Sequence, residues 1–284
     1  MADISAKIRR KSLAAKKKAA IRTVKQQAKE KIRELKIQYA ENPERIRAKE
    51  EEREQRKNLR IQKENARINY SSRQARPFSQ GEELFNAISH GIGAGLSAAA
   101  IVLLVVRACL KSPLDTRALH VSGFSIFGAS LFILYMMSTL YHSLIPYGAR
   151  KVFSTLVHIS IFLLVGGTFT PFLLTKMGEN GLPILIVLWS VIAVMIVLYA
   201  TLKRRIGSIC FLAYFILGWL LFALCQTSDT IPMASRILLL AGGITYSAGG
   251  FFFLLRRFPL GNCIFHVLAM GGSVLHFFSV FYSI

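Results

Sequence analysis

Residues 85–107 read FNAISHGIGAGLSAAAIVLLVVR, an apolar run whose one charge is the closing Arg107. About 20 such residues at ~1.5 Å rise per residue cover ~30 Å of hydrocarbon, so the run predicts a membrane-crossing helix. Working outward, six more runs of the same kind follow, at roughly 119–142, 152–175, 182–202, 207–226, 232–255 and 261–283. Charges, Gly or Pro separate them, as in Lys111 to Arg117 and Pro146 to Lys151. The fifth run has the least distinct end, because Gln226 to Asp229 is its only clear stop. The expectation is an all-α, seven-transmembrane helix bundle over 81–284 that reaches the C-terminus.

The opposite direction leads into different chemistry. The formal net charge is +21, and residues 1–80 hold 24 Lys/Arg against 10 Asp/Glu, leaving 12 against 5 for the other 204 residues. Residues 4–40 and about 44–67 are rich in helix formers and are separated by Glu41-Asn42-Pro43. Apolar residues there are too sparse for a core of its own, so a basic arm, helical or partly disordered, is expected over 1–80, with a polar linker from Ser71 to Gly81. No apolar stretch follows the polar N-terminus, so the first crossing is expected to act as its own uncleaved signal. The four cysteines, Cys109, Cys210, Cys225 and Cys263, show no paired spacing and read as buried thiols.

A cytoplasmic N-terminus places seven basic residues in inner loops (Arg150, Lys151, Lys203, Arg204, Arg205, Arg256, Arg257) and five outside. Moving the charged arm across a bilayer is unfavourable, which fixes the expected topology as N-terminus inside and C-terminus outside. An arm beside an inner leaflet is expected to be drawn to anionic lipid headgroups, at about 1 kcal/mol per basic residue close to the surface. Nucleic acid, the other polyanion, lacks support from any aromatic or sequence motif.

Ionisable side chains within the runs are costly and therefore candidates for function. Glu83, Asn86 and His90 open the first, Ser138 and His142 close the second, His158 lies early in the third, and Asn262, Cys263 and His266 open the seventh. All belong to the cytoplasmic half in the expected topology, whereas His120 and His276 lie elsewhere. Ser138/His142 and Asn262/His266 are i,i+4 pairs and Cys263/His266 an i,i+3 pair, so each pair shares a helix face. Imidazole and thiolate in such an arrangement suit zinc. Gly91-Ile-Gly-Ala-Gly95, Gly166-Gly167 and Gly271-Gly272 are expected to allow close helix packing, and Pro171 to kink or end the third crossing.

The stretches Glu83-Leu-Phe-Asn-Ala-Ile-Ser-His-Gly-Ile-Gly-Ala94, Ser138-Thr-Leu-Tyr-His142, His158 through Gly167-Thr-Phe-Thr-Pro-Phe172, Tyr246 to Phe252, and Ile264-Phe-His266 through His276 resemble the hemolysin III family of bacterial membrane proteins, related to the progestin and adipoQ receptors. The resemblance implies a bacterial cell-membrane protein of seven helices. It also implies a zinc site near the cytoplasmic face, built from Ser-x-x-x-His on the second helix, Asp on the third and His-x-x-x-His on the seventh. That arrangement is similar to the lipid amidases called alkaline ceramidases, in which zinc activates water and polarises an amide carbonyl.

Ser138, His142 and His266 match the pattern, but Val157 stands at the Asp position and Asn262 at the first His of the seventh-helix pair. A rescue would recruit Cys263 as a third ligand beside His142 and His266, with Ser138, His158 and Asn262 around them. The leading expectation is a receptor-like or regulatory membrane protein with a degenerate zinc site. A divergent zinc-dependent lipid hydrolase and a cytolytic or pore-forming protein are the alternatives.

Overall fold

The structure is a computed structural model, and it describes residues 2–75, 78–202, 206–255 and 260–284. Two units separate by contact, Met1–Tyr70 and Ser71–Ile284. The basic loop residues Lys203, Arg204, Arg205, Arg256 and Arg257 lie outside the described residues.

The first unit is built from α1 (Ala2–Gln38) and α2 (Pro43–Ala75). Asn42 accepts from the Arg45 amide at 3.2 Å and Pro43 takes the first helical position, where its missing N–H costs nothing. Arg33 of α1 bonds Glu50 of α2 and lies 3.6 Å from Glu54. The expected linker from Ser71 to Gly81 is shorter than its composition suggests, because α2 continues through Ala75.

The second unit holds α3 (Gln80–Lys111), α4 (Arg117–Ser143), α5 (Tyr147–Thr175), α6 (Gly181–Leu202), α7 (Gly207–Cys225), α8 (Met233–Leu254) and α9 (Gly261–Phe281). Ser79 and Glu82 form a reciprocal capping box that starts α3, a signal present in the sequence as Ser-x-x-Glu. Six helices, α3 to α6, α8 and α9, are long and apolar enough to cross a membrane, while α7 offers the shorter stretch Ile209–Cys225. Their lipid-compatible faces carry exposed Leu, Ile, Val and Phe side chains, as expected where no water must be excluded from the surface.

The helices pack in sequence, α3 on α4, α4 on α5 and α8 on α9 most extensively, and α3 returns to α9 to close the set. Phe124, Phe127, Phe162 and Phe172 are fully buried between them. Pro171 does not end α5, which runs on to Thr175. Instead its backbone meets α4 where Gly123 has no side chain: a Cβ there would lie 2.9 Å from the Pro171 Cα. At the far end of α3, Arg107 donates to the carbonyls of Phe281 and Ile284, each at 2.5 Å, and its guanidinium lies over the Phe281 ring. Cys210, Cys225 and Cys263 are buried free thiols, but Cys109 is exposed.

Candidate functional site

Helical spacing places Glu83, Asn86 and His90 on one face of α3, at i, i+3 and i+7, and all three are buried. The same rule buries Tyr135, Ser138 and His142 along α4 and Asn262, His266, Ser273 and His276 along α9. Because α3 packs against both α4 and α9, the three polar faces meet near the N-terminal end of α3.

Glu83 is the anchor of the cluster. One carboxylate oxygen lies 2.6 Å from Nδ1 of His142, and the other accepts from Arg150 at 2.5 Å. Arg150 opens α5 and is buried; it also donates to the Leu144 carbonyl and covers the Tyr141 ring at 4.6 Å. Sequence reasoning took Arg150 for a loop charge and named no partner for Glu83. The signal that bore on it is the scarcity of acids: an intramembrane carboxylate demands a cation, but only the helix packing says which one.

His266 contributes the second half. Its Nδ1 is 2.7 Å from Nε2 of His90, so one ring donates to the other. The His266 ring also lies 4.8 Å, centroid to centroid, from that of His142, and His90 meets the edge of Tyr135 at 5.0 Å. Tyr135 then donates to Ser273 at 2.6 Å, and Ser273 bonds Tyr246 of α8 at 2.5 Å. Five buried polar atoms in and around the cluster have no partner among the described residues: both amide atoms of Asn86, Nδ1 of His90, Nε of Arg150 and Nδ2 of Asn262.

The expected site residues therefore divide. Glu83, His90, His142 and His266 come together, with Ser138 buried one turn before His142. His158 stacks on Tyr199 of α6 at 4.7 Å, and its carbonyl accepts from Tyr214 of α7. Val157 packs against the apolar core. Cys263 is buried and lines an apolar groove of about 670 Å³ between the starts of α3 and α9, with Phe85, Ile264 and Val267. His276 bonds the Leu239 carbonyl and His120 that of Thr116.

Two imidazole nitrogens on one tetrahedral zinc, each at 2.0–2.1 Å, stand ~3.3 Å apart. The 2.7 Å between His90 and His266 is instead a hydrogen bond. Among the described residues, no three His, Cys, Asp or Glu side chains are arranged to hold one metal ion. Nδ1 of His266 and Nε2 of His90 are thus committed to each other and not to one shared metal ion.

Comparison with known proteins agrees with the motifs. The family model described as haemolysin-III related matches residues 78–277. Hemolysin-3 of Bacillus cereus is 39% identical over 203 residues, which cover 71% of this chain and 91% of the relative. The Hemolysin-3 homolog of Bacillus subtilis strain 168 is 34% identical over 207 residues, covering 72% and 95%. The arm lies outside the matched range. The chain is an integral membrane protein with bacterial relatives, and it belongs to the haemolysin III family.

Proposed function

We propose that this protein is a receptor-like or regulatory member of its family, without hydrolytic chemistry. The observation that carries this reading is the closure of five cluster side chains on one another, with Asn86 and Asn262 left outside it. His90 and His266 bond each other, Glu83 is shared by His142 and Arg150, and the groups at the positions where a hydrolase would need an acid and a third ligand are Val157 and Asn262. Val has no proton to give or take, and the Asn carboxamide is a poor zinc ligand.

In this reading α7, at 19 residues and ~28 Å, is the seventh crossing, and the end of the bundle with the cluster faces the cytoplasm. A lytic pore is disfavoured by the same closure. Tyr135, Ser273 and Tyr246 bond one another, and Ser235 and Ser279 bond each other's backbone, so these hydroxyls are spent on helix contacts and do not line a water-filled channel.

One observation keeps a zinc-dependent hydrolase as the second reading. The Nδ1 atoms of His142 and His266 are held by Glu83 and His90, and among the described residues no hydrogen bond is formed at either Nε2. That is the second-sphere pattern of metal-binding histidines. Elemental analysis of the purified protein separates the two. Far less than one zinc per chain, unchanged in His142→Ala, is expected; stoichiometric zinc that disappears in His142→Ala would overturn the reading.

A further inference from the structure

The family resemblance leaves α1 unexplained, and its surface has an order that composition does not reveal. At ~100° per residue, Ile21, Val24, Ala28, Ile32, Leu35 and Tyr39 fall in one strip ~80° wide. The large members are all exposed, from 43% at Leu35 to 80% at Tyr39. Lys18, Arg22, Lys25, Lys29 and Lys36 form a row along one edge of the strip, and Lys31 flanks the other. The two acids of this stretch, Glu30 and Glu34, occupy the opposite side. Lys17, Lys18, Arg22 and Lys25 gather around Ile21 at the upper end.

The partner helix does not cover this strip. Arg33 reaches Glu50 and Glu54 of α2 from the back of α1, ~120° from Ile21, and Ile37, also on the back, is half-buried. So α2 occupies the acidic side and leaves the apolar strip open.

We propose that α1 docks on the surface of an anionic lipid bilayer, with Ile21, Val24, Ile32, Leu35 and Tyr39 entering the headgroup–acyl boundary and the lysine row contacting lipid phosphates. The chemistry selects this occupant. An apolar face bordered by cations is the pattern of an interfacial helix. The same chain spans a membrane, so the surface is always within tether reach. A second copy of α1 would bring lysine rows of like sign together along the edge formed by Lys18, Arg22, Lys25, Lys29 and Lys36, with Glu34 offsetting only Lys31 on the other edge. Nucleic acid would satisfy the lysines but leave the strip in water.

The test uses the full-length protein with Cys109→Ser, which removes the exposed thiol, and a polarity-sensitive fluorophore on Val24→Cys. It is reconstituted in phosphatidylcholine vesicles with and without phosphatidylglycerol. The expected result is a blue-shifted, several-fold brighter signal only with phosphatidylglycerol, quenched by lipid-borne quenchers. The signal should be lost in ~1 M salt, where the Debye length is ~3 Å, and in the Lys18, Lys25, Lys29, Lys36→Glu variant. A label on Glu30→Cys should stay aqueous throughout. Equal signals in both vesicles would overturn the proposal, as would a shift seen only on adding RNA. Val24→Cys disulfide dimers formed equally in both lipids would overturn it too, and would assign the strip to a second copy.

Discussion

Glu83 is the residue on which the site turns. It is the one acid buried in the bundle, and its two oxygens join α3 to α4 through His142 and to α5 through Arg150. Removing one member of a buried pair leaves the other as an unmatched charge, at a cost of about 3–5 kcal/mol. Hydroxyl contacts within membranes average nearer ~0.6 kcal/mol. Glu83→Gln should therefore lower the thermal stability of the detergent-solubilised protein far more than Tyr135→Phe, which removes only hydroxyl bonds to Ser273 and the Ala269 carbonyl. Adding Arg150→Met to Glu83→Gln should recover much of the loss, since the stranded cation is gone. Equal effects of Glu83→Gln and Tyr135→Phe would show that Glu83 does not carry the junction.

At the scale of elements, glycines decide how close the helices come, but only some of them do so. A Cβ on Gly242 of α8 would collide with the His276 ring and stand 3.1 Å from the Gly272 carbonyl of α9. A Cβ on Gly95 of α3 would meet nothing within 4 Å. Ala gains roughly 0.5–1 kcal/mol over Gly in a helix interior, whereas overpacking costs about 1–3 kcal/mol. The signs should then differ: Gly242→Ala destabilises and Gly95→Ala stabilises, both read by thermal unfolding in the same detergent. Gly93-Ala-Gly95 looks uniform in the sequence, yet a Cβ on Gly93 would lie 2.7 Å from the Tyr135 ring while one on Gly95 would meet open space. Periodicity cannot separate the two without knowing which side of α3 meets α4.

For the whole molecule, the proposed orientation rests on the excess of basic residues in the arm. With the N-terminus cytoplasmic, protease added to inside-out vesicles should remove the arm and leave a protected fragment beginning near Ser79. Protease outside intact cells should leave the arm whole. The reverse pattern would invert the proposed orientation. The division at Tyr70/Ser71 carries a second expectation: losing residues 1–70 should shift the unfolding of the membrane bundle by no more than ~0.5 kcal/mol, the scale of a surface change.

Hydropathy, helix-former content and charge segregation determined the class of this protein, because each is a sum over a long window and survives local error. Six apolar runs long enough to cross a membrane were legible in that way, and the family and the break at Asn42-Pro43 from short local motifs. Single buried polar residues were legible too, since their cost in lipid makes each one conspicuous. Partnership was not. Whether Arg150 is a loop charge or the counter-ion of Glu83, which ring His266 meets, and whether Cys263 joins the cluster or lines an apolar groove depend on helix rotation and separation. These are tertiary quantities, set by contacts between residues 59, 67 and 176 positions apart, and no local pattern in the chain encodes them.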